Sequence, residues 1–146
     1  MKAVLLDDRQ RKKIVNMVKP SEKDFFSYQN LDLLTAVYDE EKNLYLTCTY
    51  YMSSSIMRTG DNYNEYSFAL LTPLGCFSVS CTERSGKCSN VFSPLPLLIS
   101  NDKLKEMVIF YHESFSERRA LKKEAQKDID TGDMSFTEWY LSKNYF

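Results

Sequence analysis

The stretch LLTAVYDEEKNLYLTCTYYM, residues 33–52, contains two runs of aliphatic, β-branched and aromatic residues on either side of a polar segment. Such runs favour extended strands, and DEEKN between them favours a turn. The stretch therefore predicts a β-hairpin with strands at about 33–38 and 44–51. Side chains alternate between the two faces of a strand, so Leu44, Leu46, Cys48 and Tyr50 are predicted to share the core face.

A second hairpin is predicted further along the chain, where YSFALL and CFSVSCTE flank the short segment TPLG. Pro73 and Gly75 are typical of a tight turn between two strands, here at about 65–72 and 76–83. Together the two hairpins predict a four-stranded antiparallel meander.

Helical patterns lie on both sides of this predicted sheet. A short helix at about 9–19 is capped by Asp8 and stopped by Pro20, and apolar residues at helical spacing predict a long helix at about 101–130. Gly132 ends the long helix, and the capping-box spacing of SFTE begins a short helix at about 136–144. The expected fold is one α+β domain over residues 1–146, with the long helix packed on the meander.

Composition excludes several classes of function. The 146 residues carry 20 acidic and 19 basic side chains, a formal net charge of −1, so any basic binding site must be local. No segment approaches the ~20 apolar residues that span a bilayer, and the apolar run before Asp7, Ala3 to Leu6, has only four residues. We expect a cytoplasmic protein with no membrane partner and with its four cysteines reduced.

Motifs for catalysis or cofactor binding are missing from the sequence. Its four glycines cannot form a dinucleotide or P-loop phosphate cradle, and a single histidine, His112, excludes HExxH. The segment DIDTGDMSFTEW, 128–139, resembles an EF-hand loop, but Gly132 falls fifth and Glu138 eleventh, one position early in each case. We therefore expect no metal, no cofactor and no catalytic site. The alternative, an enzyme, would depend on His112 or one of the cysteines.

Three of the four cysteines lie in CFSVSCTERSGKC, residues 76–88. In a regular strand Cys76 and Cys81 point to opposite faces, which predicts Cys81 as a small core residue and Cys76 on the more polar face. A disulfide between Cys81 and Cys88 needs a wide loop. A tight turn centred on Ser85-Gly86 instead places Cys81 opposite Asn90.

Two segments are candidate partner-binding surfaces. The first is aromatic and lies in SFTEWYLSKNYF near the end of the sequence: Phe136, Trp139, Tyr140, Tyr145 and Phe146. Aromatic residues with polar tips are enriched at interfaces. The same segment would equally serve as a helix docked on its own domain.

The second candidate is a basic stripe on the long helix, formed by Arg118, Arg119, Lys122, Lys123 and Lys127. Like charges at helical spacing cost the helix a few tenths of a kcal/mol per pair, which favours a role with an acidic partner or nucleic acid.

From these patterns we expect a small non-enzymatic protein that acts by binding another protein. By analogy of size and character, it suits an inhibitor of the phage or mobile-element type, with an anti-defence, host-takeover or immunity role. Two alternatives stay open: a nucleic-acid-binding accessory protein and a dimeric secretion or assembly chaperone.

Overall fold

The computed structural model describes residues 1–18, 34–56, 61–84, 87–89 and 91–129. Its elements in chain order are β1 (Lys2–Leu5), α1 (Asp8–Met17), β2 (Thr35–Asp39), β3 (Leu44–Ile56), β4 (Asp61–Thr72), β5 (Gly75–Arg84), β6 (Lys87–Ser89), α2 (Asn101–Glu113) and α3 (Phe115–Ile129). The α+β class and the antiparallel sheet are confirmed. The predicted helix at 136–144 lies outside the described residues.

All described strands belong to one antiparallel sheet in the order β1-β2-β3-β4-β5-β6. The prediction of four strands is therefore wrong: β2 to β5 are the predicted strands, and β1 and β6 are added at the two edges. Sequence patterns do not reveal β1 because it pairs with a strand far along the chain, with Leu5 opposite Thr35. β6 has only three residues, too few to show an alternating pattern.

The sheet separates two apolar clusters, because neighbouring residues on a strand point to opposite faces. The cluster beneath α2 is formed by Val37, Leu44, Leu46, Cys48, Phe68, Leu70, Val79, Cys81, Val91, Ile99, Leu104, Met107, Val108 and Tyr111. The cluster beneath α1 is formed by Leu6, Ile14, Val15, Val18, Leu34, Ala36, Ala69 and Leu71. Ala125 of α3 packs against this second cluster. The described helices thus cover both faces.

A β-bulge at Thr49 changes the predicted face of β3. Cys48 pairs with Phe68 and Tyr50 pairs with Ser67, which leaves Thr49 without an opposite residue. The Thr49 hydroxyl donates to the Ser67 carbonyl oxygen at 3.1 Å. Beyond the bulge Tyr51, rather than the predicted Tyr50, packs against the cluster beneath α2.

The predicted helix at 101–130 is two helices joined at Ser114. This residue has φ −86° and ψ 13°, and its hydroxyl donates back to the Tyr111 carbonyl oxygen at 3.1 Å. A serine that bonds the preceding turn in this way bends a helix. Because Ser114 is 2% exposed, the junction itself belongs to the protein interior.

The two tight turns of the meander use residues suited to them. Asn43 before β3 has φ 55°, a left-handed conformation that asparagine tolerates better than most residues. Gly75 after the Pro73-Leu74 turn has φ 142°, where any side chain would strain the backbone. These turns fix the registers of the β2–β3 and β4–β5 hairpins.

Candidate binding surfaces

The apolar loop, residues 91–100, connects β6 to α2 and is held by its own hydrogen bonds. The amide of Ser93 donates to Asn101 Oδ1 at 2.7 Å, and the amide of Leu95 donates to the Ser93 hydroxyl at 3.1 Å. The amides of Leu98 and Ile99 both donate to the Leu95 carbonyl oxygen at 2.9 Å. The loop therefore has a defined conformation.

Both ends of the apolar loop are buried, whereas its middle carries large apolar side chains in water. Val91 is 8% exposed and Ile99 is 2% exposed, and both join the cluster beneath α2. Between them Phe92 is 69% exposed and Leu97 is 105% exposed. The sequence does not directly reveal this surface, because Pro94 and Pro96 argue only against a central strand. The signal in the sequence is the combination of two prolines with many apolar residues. The prolines restrict the loop backbone, so its apolar side chains cannot all point inward.

The basic stripe predicted on the long helix lies in α3 and is divided between the interior and the surface. Arg118 is 5% exposed, Arg119 and Lys123 are exposed, and Lys122 is half-buried. Lys127 belongs to the same helix. Two of the predicted cations thus form an exposed pair at i, i+4 spacing.

Arg118 is oriented toward the end of α2 rather than toward solvent. Its Nη2 donates to the Tyr111 carbonyl oxygen at 2.7 Å, its Nε lies 3.3 Å from the Ser114 hydroxyl, and its guanidinium stacks 3.6 Å from the Tyr111 ring centroid. A cation at the carboxyl end of a helix also interacts favourably with the helix dipole. This arginine therefore joins the two helices.

The basic residues of α1, namely Arg9, Arg11, Lys12 and Lys13, are likewise divided between the interior and the surface. Arg11 is 9% exposed, and its Nη1 donates to the Leu6 carbonyl oxygen at 2.5 Å while its Nη2 contacts the Asp8 carboxylate. Arg9, Lys12 and Lys13 are exposed. The buried arginine ties α1 to the end of β1 and removes one cation from the local basic surface.

His112 lies in a cluster of aromatic rings on the α2 side of the sheet. Its ring is 4.9 Å from the ring of Tyr66, which in turn is 5.0 Å from Tyr51 and 5.9 Å from Phe68. The Nε2 atom of His112 is buried without a hydrogen-bond partner among the described residues, 3.8 Å from Glu83 Oε2. This distance is too long for a hydrogen bond.

Burial controls the ionisation of this cluster. It lowers the pKa of His112, an effect that the Glu83 carboxylate opposes and Arg118 reinforces. Burial also raises the pKa of Tyr66, with Glu83 acting in the same direction. These shifts in pKa favour an uncharged imidazole and a protonated phenol at neutral pH. The arrangement is suited to a pH-dependent contact between α2 and β5.

The described cysteines occupy ordinary positions in the sheet. The prediction that Cys81 is a core residue is confirmed, because Cys81 is 2% exposed. Cys48, Cys76 and Cys81 form no disulfide. Glu83 pairs with Cys88 and Thr82 pairs with Ser89, so Cys88 is not opposite Cys81.

Cys76 is more enclosed than the sequence predicts. It packs against the cluster beneath α1, and its sulfur lies 3.7 Å from the Met17 sulfur. Burial raises the pKa of the Cys76 thiol to about 11, although Lys13 opposes the shift. A thiol with such a pKa is a poor nucleophile at neutral pH.

The aromatic candidates Phe136, Trp139, Tyr140, Tyr145 and Phe146 lie outside the described residues. Within the described ranges no group of three His, Cys, Asp or Glu side chains is placed to hold a metal ion. None of the described helices has both the length and the apolar character needed to cross a bilayer.

Comparison with protein-family models, curated proteins and solved structures gives no significant match to this chain.

Proposed function

We propose that this protein acts by binding another protein, and that the apolar loop forms the centre of the contact. The observation that carries this proposal is Leu97, whose side chain is 105% exposed at the tip of a hydrogen-bonded loop. An isolated exposed leucine is ordinary on a protein surface. A leucine beside an exposed phenylalanine on a fixed loop is a suitable anchor for a partner.

The geometry of the loop favours binding because little conformational freedom is left to lose. Pro94 and Pro96 restrict the backbone on either side of Leu95, and the Leu95 carbonyl oxygen accepts two amide hydrogen bonds. Side chains held in place before association cost less to order during association. Covering Leu97 would remove nearly a whole leucine side chain from water, worth about 1.5–3 kcal/mol.

The proposal is tested by affinity capture from native lysate with three versions of the protein. The wild type and Phe115→Ala are expected to retain the same stoichiometric protein partner, whereas Leu97→Ala is expected to lose it. Phe115 is a matched control because it is 59% exposed and lies on α3, away from the apolar loop in the chain. Retention of the partner by Leu97→Ala would exclude this loop, and recovery of nucleic acid alone would overturn protein binding.

The aromatic segment that contains Trp139 and Tyr140 is a second proposed contact, tested in the same capture by a stop codon before Phe136. An inhibitor of the phage or mobile-element type is the form of binder that we propose from size and character alone. The identity of the captured protein tests this: a component of a host defence system would support it, and a metabolic enzyme would contradict it.

Nucleic-acid binding is a second candidate function, favoured by the exposed pair Arg119 and Lys123. Reversal of both charges should abolish binding to nucleic acid and remove its salt dependence. Arg118→Met serves as the control, because the wild-type guanidinium is occupied inside the protein.

A further inference from the structure

Among the described strands, only β6 pairs with the outer edge of β5, and it does so over a small part of the length of β5. β4 pairs with β5 from Gly75 to Arg84, whereas β6 pairs only with Thr82, Glu83 and Arg84. Among the described residues no strand lies beside β5 between Gly75 and Ser80. The edge strand on the opposite side of the sheet, β1, is contacted by α3, and β5 is contacted on one face by α1.

The registers of the two hairpins establish which backbone groups face this open edge. Thr72 pairs with Gly75 across two residues, and Arg84 pairs with Lys87 across two residues. The pair that closes a two-residue hairpin exchanges both backbone hydrogen bonds, so Gly75 faces β4 and Arg84 faces β6. The direction of the backbone groups alternates from one residue to the next along β5. Counting from Gly75 or from Arg84 gives the same result: Cys76, Ser78 and Ser80 direct their N–H and C=O groups away from β4.

The sequence of the open edge lacks the features that normally prevent strand pairing. Residues 75–81, GCFSVSC, contain no charged residue and no proline. Natural edge strands are usually protected by lysine, proline, a bulge or a covering element. Ser78 and Ser80 are exposed, so their side chains leave the backbone accessible from the α1 side.

We propose that β5 pairs in antiparallel orientation with β5 of a second copy of the chain, about a two-fold axis at Ser78. In this register Ser78 lies opposite Ser78 of the other copy, and Cys76 lies opposite Ser80. Every outward N–H and C=O of these three residues then has a partner. On the α2 side of the seam Phe77 lies opposite Val79, a favourable apolar pair.

The length of the open edge matches this pairing. Residues 76–80 pair with residues 80–76 of the other copy, so the seam stops short of Thr82, where β6 pairs with β5. Continuing the register places Leu74 of the other copy opposite Thr82, a position that Ser89 already occupies. That leucine therefore lies at the end of β6, three residues from Phe92.

Leu74 and Phe92 are exposed at 73% and 69% in the single chain. The two-fold axis places Leu74 of each copy next to the end of β6 of the other copy, so this arrangement occurs twice. Leu97, five residues beyond Phe92, is left for the partner protein. A dimer of this kind is also what the chaperone alternative requires.

The proposal is tested on the purified protein by sedimentation velocity over a wide range of concentration. The wild type is expected to sediment as a dimer that dissociates on dilution. Ser78→Lys places two like charges against each other at the two-fold axis and should weaken dimerisation by roughly tenfold or more. Ser116→Lys on α3 is the control and should leave the dimer unchanged.

A cross-linking variant tests the register directly and does not depend on Ser78→Lys folding. Opposite residues of a hydrogen-bonded antiparallel pair have Cα atoms about 5.5 Å apart, within the range of a disulfide. Oxidised Ser78→Cys should give a covalent dimer on a non-reducing gel, and Ser116→Cys should not.

A wild-type protein that stays monomeric at all concentrations, or a dimer that Ser78→Lys leaves intact, would overturn the proposal. Equal cross-linking of the two cysteine variants would overturn it as well. Because no partner protein enters these measurements, their failure is separate from failure of the Leu97→Ala capture.

Discussion

Replacement of Arg118 by alanine should destabilise the protein far more than the same change at its neighbour Arg119. Arg118 is 5% exposed and donates to the Tyr111 carbonyl oxygen at 2.7 Å, whereas Arg119 is exposed. The pair provides a matched comparison, because both residues are arginines in the same helix.

The magnitude follows from the contacts that alanine removes. A hydrogen bond from a charged group contributes about 1.5–3 kcal/mol, and stacking of the guanidinium 3.6 Å from the Tyr111 ring adds about 0.5–2 kcal/mol. Part of this sum is offset because a buried guanidinium loses its hydration. We expect Arg118→Ala to lower the free energy of unfolding by about 2–4 kcal/mol, and Arg119→Ala by less than about 0.5 kcal/mol.

Urea denaturation followed by circular dichroism measures both values, provided that the denaturant slope stays constant among the variants. Arg118→Met separates the apolar stem from the charge: it keeps the methylenes, loses the hydrogen bonds and should fall between the other two. Equal midpoints for Arg118→Ala and Arg119→Ala would refute the conclusion that Arg118 joins α2 to α3.

Further predictions concern ionisation and packing. Because burial lowers the pKa of His112, the unfolded chain binds more protons below its ordinary pKa of about 6.5, so stability should fall on acidification through that value. Glu83→Gln should make this loss of stability steeper, and His112→Gln should remove the His112 contribution. Urea midpoints between about pH 7.5 and pH 5.5 measure both effects. Identical pH profiles for the wild type and the variants would contradict the assignment of the loss to His112. The pKa of the Cys76 thiol rises from 9.0 to about 11, so alkylation of Cys76 at pH 8 should be roughly 100-fold slower in the native than in the urea-unfolded protein. Mass spectrometry measures both rates, and equal rates would disprove this prediction. Phe68→Ala, at a 0% exposed position, should cost about 3–5 kcal/mol of stability, whereas Phe92→Ala, at a 69% exposed position, should cost less than about 0.5 kcal/mol.

The central strands are predictable from the sequence because each carries its own local signal. Alternating apolar residues mark β3 and β5, and Pro73 with Gly75 marks the turn between β4 and β5. Such patterns depend only on which face of a strand is buried. The edges of the sheet carry no such signal, since β1 depends on its distant partner β2 and β6 is very short.

Side-chain effects that act over one turn or one residue are harder to predict. The bulge at Thr49 reverses the faces of Tyr50 and Tyr51, and no periodic pattern announces a single extra residue. Ser114 bends the long helix through one hydroxyl hydrogen bond. In the sequence Arg118 has the same helical spacing as its exposed basic neighbours. The bend, however, places the ring and the carbonyl oxygen of Tyr111 where they hold Arg118 in the interior.

The chain order of the sheet also constrains how the protein folds. Strands β2 to β5 are joined to their neighbours in sequence, so their hairpins can form early with little loop-closure entropy. β1 is synthesised before β2 and cannot pair until β2 is present, because Leu5 pairs with Thr35 across the whole of α1. Because its contact with β2 is long-range, we expect β1 to dock after the local hairpins have formed.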